Sequence, residues 1–159
     1  GGFVGYAVQN GAFVWGGEMD IEAMSISDSY IDTTAATSQG VIDGNWQGSI
    51  RGVLGYASTL ADNPALYYAT VGWAVGDFDF LGGPSVPAPP AGGYSAQLEG
   101  WTGGIGVDVK LETDTTLRVE YRYTDFGEAS GTLDPAFPAV TMPVAVEQHV
   151  LRVGLRYEF

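Results

Sequence analysis

"HVLRVGLRYEF", residues 149–159, closes the chain and decides how the rest is read. Leu151, Val153, Leu155, Tyr157 and Phe159 fall on one parity, and Arg152, Gly154, Arg156 and Glu158 on the other. Successive side chains of a β-strand point to opposite faces, so this alternation means a strand with one apolar and one charged face. The apolar face runs to the final Phe, where a strand bathed in water would fray. That face therefore meets either a core or something other than water.

Working outward, the same alternation recurs six times. The expected strands are Gly2–Gln9, Ala12–Met24, Asn45–Ala57, Leu66–Phe78, Gln97–Leu111, Thr116–Phe126 and Glu147–Phe159. The connections alternate in length. "NGA", "STLADNPA" and "ETDT" are compact turns of Gly, Asn, Asp and Pro. Residues 25–44, 81–96 and 127–146 are expected as long polar loops, with "GGPSVPAPPAGG" (82–93) an extended spacer and "DTTAATSQG" (32–40) a contact surface. Short and long connections in strict alternation are the pattern of an up-and-down antiparallel barrel with two unlike rims.

All six basic residues (Arg51, Lys110, Arg118, Arg122, Arg152 and Arg156) lie inside these strands. They share a face with Glu18, Asp20, Glu22, Asp108, Glu120 and Glu158, and oppose residues such as Ile50, Leu54, Ile105, Val107 and Tyr121. In a soluble barrel the apolar face points inward; in a membrane barrel it meets lipid and the charges fill a narrow lumen. Three features favour lipid. The charged face is rich in glycine (Gly16, Gly55, Gly72, Gly76, Gly104, Gly106 and Gly154), as a tight interior requires. Both charge signs are interleaved, so buried charges find partners. Aromatics gather near strand ends, as at membrane interfaces: Trp15, Tyr56, Tyr67, Tyr157 and Phe159 at the short-turn rim, and Trp46, Trp101 and Tyr123 at the other.

Composition agrees. The 159 residues fit one domain, residues 1–159. The net charge of −13 argues against nucleic acid, which needs clustered Lys and Arg. The absence of cysteine excludes disulfides and thiolate metal sites. No stretch of roughly 20 apolar residues forms a membrane helix, but barrel strands escape that criterion. The opening "GGFVGY", without Met, fits a processed or truncated product.

"VEYRYTDFGE" (119–128) and the terminal "HVLRVGLRYEF" resemble the small outer-membrane β-barrels of Gram-negative bacteria, especially the OmpA-like "porin family" barrels of alphaproteobacteria. "YATVGWAV" (68–75) and "GWTGGIGVDVKL" (100–111) are similar to earlier strands of that family. The resemblance implies an all-β, eight-stranded barrel in the outer membrane, with periplasmic termini and insertion by the barrel-assembly machinery. Such barrels have an even strand number. With seven strands read and Phe159 at the periplasmic rim, Gly1 falls on the wrong side. One upward strand and a signal peptide are therefore expected before Gly1.

The candidate site is a lumen network of Glu18, Asp20, Arg51, Asp108, Lys110, Arg118, Glu120, Arg122, Arg152, Arg156 and Glu158. Arg51 is expected to face Glu18 or Asp20, while Arg118, Glu120 and Arg122 face Arg152, Arg156 and Glu158. The leading reading is a non-enzymatic structural barrel plugged by charge; a narrow ion pore, a lipid-active barrel enzyme and a soluble ligand-binding barrel are the alternatives. His149, the sole histidine, faces outward with no Ser within two residues, so no triad assembles. Asp28, Asp32, Asp43, Asp77, Asp79, Glu99, Asp125, Glu128, Asp134 and Glu147 cluster in or beside the long loops and are read as a solvated acidic rim, with bridging to lipopolysaccharide by divalent cations as the alternative. Asp77-x-Asp79 is the best local pair, without calcium-loop spacing, and no cofactor or metal site is expected. Expected partners are outer-membrane lipid, lipopolysaccharide and neighbouring envelope proteins.

Overall fold

Two tight turns set the chain direction. Asn10 pairs with Phe13 around Gly11-Ala12, where glycine takes φ +62° without strain. Leu60 pairs with Asn63 around Ala61-Asp62, both at positive φ, the geometry a two-residue hairpin turn demands. The computed structural model describes residues 1–32, 38–84, 92–111, 114–131 and 142–157. Its strands are β1 (Gly2–Asn10), β2 (Phe13–Asp32), β3 (Ser38–Leu60), β4 (Asn63–Pro84), β5 (Gly92–Lys110), β6 (Thr115–Gly131) and β7 (Met142–Tyr157). They form one antiparallel sheet in chain order.

The segments expected as long loops are largely strand. β2 runs on to Asp32, β3 begins at Ser38, β4 continues to Pro84, β5 begins at Gly92, β6 reaches Gly131 and β7 begins at Met142. Residues 33–37 of "DTTAATSQG" and 85–91 of the proline-rich spacer lie outside the described residues. From β2 to β7 the strands have 16 to 23 residues. A tilted strand crosses a bilayer in about 9–11. Roughly half of each longer strand therefore projects beyond lipid.

The alternation continues through these projections with its phase inverted. On β4, Val71 and Trp73 point outward and are 67% and 52% exposed, while Phe78 and Phe80 point inward and are 5% and 1% exposed. Asp77 and Asp79 have taken the outward positions. The same exchange occurs on β5, with Ile105 and Trp101 outward below and Glu99, Gln97 and Ser95 outward above. On β6 and β7 it falls at Asp125 and Glu147, which pair with each other. Apolar-out gives way to apolar-in where the surroundings change from hydrocarbon to water. The register shifts lie at this level, between Ala23 and Ile26, Gly44 and Trp46, and Asp125 and Glu128. Gly127 takes φ +72° there, and its N–H donates to Asp125 Oδ1 at 2.9 Å. Bulges of this kind re-aim side chains at barrel rims.

Among the described residues β1 and β7 share no ladder, so the sheet is not closed. It is nonetheless curled far enough for side chains of β2 and β3 to meet those of β6 and β7. Glycine makes that curl possible: a Cβ at Gly72 would fall 2.7 Å from the Arg51 Cα, and one at Gly106 2.6 Å from the Tyr68 ring.

Candidate functional site

Glu18, Asp20 and Glu22 occupy alternate inward positions on β2, with Arg51 on β3, Asp108 on β5, Arg118, Glu120 and Arg122 on β6, and Arg152 and Arg156 on β7. Arg51 ion-pairs with Glu18, with Asp20 at 3.1 Å and with Glu120 at 2.8 Å. Its Nη1 also donates to Thr70 at 3.3 Å. Arg122 grips Asp20 through two nitrogens, at 2.9 and 3.1 Å, and reaches Glu120 at 3.0 Å. Arg118 holds Asp108 through two nitrogens, at 2.8 and 2.9 Å, and bonds Glu18. Planar two-point contacts such as these fix geometry as well as charge.

The Arg118 guanidinium also lies between two rings, 4.6 Å from the Phe3 centroid and 4.9 Å from that of Tyr68. Tyr68 in turn donates to Glu120 at 3.0 Å. Neither aromatic stood out in the sequence, because each lies on the polar parity of its strand. Arg152 departs from the expected pairing. Glu120 is opposite it in register, but Arg152 bonds Asp20 (3.4 Å) and Glu22 across the lumen. The physical reason is occupancy, since Arg51 and Arg122 already hold Glu120. Arg156 reaches Asp108 at 3.5 Å, Lys110 sits half-buried at the short-turn end, and Glu158 lies outside the described residues. Among the described residues five guanidiniums thus face five carboxylates. The network is balanced, so the net charge of −13 resides elsewhere.

Above the charges lies a threonine tier, Thr70, Thr102 and Thr124, all buried, with Thr102 and Thr124 hydroxyls 2.8 Å apart. Above that is an apolar cap of Ala74, Phe78, Phe80, Phe126, Ala129 and Val146. Phe78 meets Phe126 edge-on at 5.0 Å, and Phe80 stacks on Tyr94 at 4.9 Å. Sequence reasoning missed this cap by ending the strands too early. The signal was the "DFDF" of residues 77–80, where the apolar parity changes.

Outside, Trp15, Tyr56, Tyr67 and Tyr157 are exposed on the half nearer the short turns; Phe159 lies outside the described residues. At the inversion level Trp46 is half-buried opposite Asp77, and Trp101 packs on Tyr123 at 5.1 Å. The His149 ring packs against that of Tyr123 at 4.9 Å with the planes inclined by 53°, and its Nδ1 is 2.7 Å from the Tyr121 hydroxyl. Trp73, opposite Trp101, extends the belt and was not singled out from sequence. Of the acidic rim, Asp77, Glu99, Asp125 and Glu147 lie in strands as expected, and Asp28, Asp32, Asp43 and Glu128 lie in strand where long loops were expected. Asn45 donates to Asp77 (3.1 Å) and Asp79 (2.8 Å). Ser95 and then Asn45, both donating to Asp79, hold its carboxyl below the usual carboxylate range. Among the described residues no group of three potential metal ligands converges.

A sheet that is greasy outside, charge-filled inside and inverted at one level matches one known design. The profile described as "Outer membrane protein beta-barrel domain" matches residues 1–159. The chain belongs to this family. It is an integral protein of the outer membrane. A 22 kDa outer membrane protein of Rhizobium leguminosarum bv. viciae is 34% identical over 134 residues, covering 83% of this chain and 54% of the relative. A 31 kDa outer-membrane immunogenic protein of Brucella melitensis is 31% identical, covering 100% of the chain and 67% of the relative. A 25 kDa outer-membrane immunogenic protein of Brucella canis is 28% identical, with 100% and 64% coverage. The chain spans between about half and two thirds of these relatives' length. No solved structure is a significant match.

For such a barrel the outward face is a lipid surface. Ile105→Arg, in the apolar band, is expected to destabilise the protein by about 2–4 kcal/mol if that position lies near the bilayer midplane. Urea titration in lipid vesicles measures this cost.

Proposed function

We propose that this chain is a structural, non-enzymatic outer-membrane barrel, sealed through its lumen and presenting an acidic outer end to the surroundings. The charge-balanced network reaching across the interior from β2 and β3 to β6 and β7 carries the reading. A water-filled channel leaves its walls hydrated, whereas here Arg51, Glu120 and Arg122 are 3%, 1% and 2% exposed. The apolar cap adds a second seal, because hydrophobic side chains give no compensation to a dehydrating ion. Planar-bilayer recording of the purified protein is expected to show no conductance steps. Regular steps that scale with salt would replace the sealed barrel with the narrow pore.

The outer end suits surface contact. Its outward positions carry carboxylates and no basic residue, so lipopolysaccharide phosphates would be reached through divalent cations, and basic patches of neighbouring envelope proteins directly. The two Brucella relatives are called immunogenic, which agrees with an exposed outer end. As a member of its family, the chain would enter the membrane through the barrel-assembly machinery. A lipid-active enzyme gains no support from His149, whose ring meets Tyr121 and Tyr123. Serine-type general-base chemistry would need a Ser hydroxyl within hydrogen-bond reach, and the hydroxyl that His149 Nδ1 meets is the phenol of Tyr121.

A further inference from the structure

The two aromatic rims differ in what lies one step along the strand on the same outward face. At the short-turn rim Trp15 is flanked by Phe13 and Gly17, Tyr56 by Leu54 and Ser58, and Tyr67 by Ala65 and Ala69. None of these rings has a carboxylate beside it in its strand. At the outer rim three neighbouring strands repeat a different arrangement. Glu99 stands two residues from Trp101 on β5, Asp125 two from Tyr123 on β6, and Glu147 two from His149 on β7. The ladders gather these pairs: Trp101 is opposite Asp125, Asp125 opposite Glu147, and Tyr123 opposite His149. The three rings make one continuous shelf, Trp101 to Tyr123 at 5.1 Å and Tyr123 to His149 at 4.9 Å. Trp101 is 48% exposed, and Glu99, Glu147 and His149 are also exposed. The basic residues of β5 to β7 (Lys110, Arg118, Arg122, Arg152 and Arg156) all take the inward parity.

We infer that this shelf on β5 to β7 docks a basic, extended segment of a partner protein, its Arg or Lys side chains lying over Trp101 and Tyr123 and ending at Glu99, Asp125 and Glu147. Docking here rests on the outer end serving as a contact surface, and gives that contact a wall and a partner chemistry. Anchoring in a membrane interface needs only the rings. The carboxylates add a preference for positive charge, and a guanidinium or ammonium group is drawn to an aromatic face and to a carboxylate alike. The same three carboxylates repel lipid phosphate. They also repel the outer end of a second copy, whose outward positions carry no basic residue. The dimensions suit an extended occupant. Three adjacent strands span about 10 Å, and an extended chain repeats its side chains on one face about every 7 Å. Two basic residues of one segment therefore reach across the shelf.

The test uses the protein purified from outer membranes and placed in phosphatidylcholine nanodiscs with a chelator present. A synthetic peptide alternating arginine and leucine is titrated by calorimetry against these and against empty nanodiscs. Binding to the protein is expected at low salt, weakening as salt screens the charges. The same peptide with glutamate for arginine is expected not to bind. Trp101→Leu, and separately Glu99→Gln with Glu147→Gln, are each expected to weaken binding about three- to tenfold. Asp43→Asn with Asp79→Asn removes two carboxylates that pair across β3 and β4, away from the shelf, and is expected to leave binding nearly unchanged. Equal losses from both sets would overturn the shelf and leave the acidic outer end a general contact surface. No binding to the wild type would overturn both. Displacement of the peptide by purified lipopolysaccharide, still in chelator, would assign the shelf to glycolipid sugars and overturn the basic partner.

Discussion

Arg51→Met is expected to destabilise the protein by about 3–5 kcal/mol, the usual cost of removing one member of a buried ion-pair group. Arg51 touches Glu18, Asp20 and Glu120, so its loss leaves five carboxylates facing four guanidiniums, with Glu18 and Glu120 still buried. The remaining arginines have little freedom to compensate, because Arg118 and Arg122 are each committed to a two-point contact. Adding Glu120→Gln restores the charge balance and is expected to recover part of the loss, with a coupling of about 0.5–3 kcal/mol. Urea midpoints of the wild type, both single variants and the double variant, measured in lipid vesicles, give the coupling directly. Additive losses would mean that the two groups do not act as a unit.

Phe126→Ala is expected to cost about 3–5 kcal/mol, for a different reason. Phe126 is 2% exposed and packs edge-on against Phe78 beneath the outer end. No lipid supports the strands at that height, so the cap is their own core. Its loss should be felt locally. Proteinase K added outside intact vesicles is expected to clip the variant near the outer ends of the strands while the lipid-embedded half stays protected. Truncation of outward Leu151 should leave the outer end resistant. Equal proteolysis of both variants would contradict an independent outer core.

Much of the membrane half was legible in the sequence because one rule governs it. The terminal strand set the parity, and the same parity sorted Glu18, Arg51, Asp108, Arg118 and Arg122 to the inside and Ile50, Leu54, Ile105 and Leu151 to the outside. The outer half was not legible by that rule, since the rule reverses there. Read with the membrane parity, "DFDF" marks the end of a strand; read with water outside, it is the continuation of one. Bulges hid the change further, since the extra residue at Asn45 and at Phe126–Gly127 shifts the count without any marker in composition. Pairing across the lumen was the other gap. Neighbouring strands suggested Glu120 for Arg152, whereas the curl of the sheet brings Asp20 and Glu22 to it. Long guanidinium stems can cross a narrow lumen, and sequence order does not say which carboxylate is left free.

The central claim is that one chain passes from lipid to water at a definite level, with its apolar face turning from outside to inside. The chain lacks cysteine, so single cysteines at 71, 73, 77, 78, 79 and 80 can each carry a nitroxide spin label in vesicles. Collision with oxygen reports lipid and collision with a nickel chelate reports water. Labels at 71 and 73 are expected to meet oxygen, labels at 77 and 79 the nickel chelate, and labels at 78 and 80 neither. Oxygen-rich, lipid-type signals at 77 and 79, or aqueous signals at 71 and 73, would contradict the account.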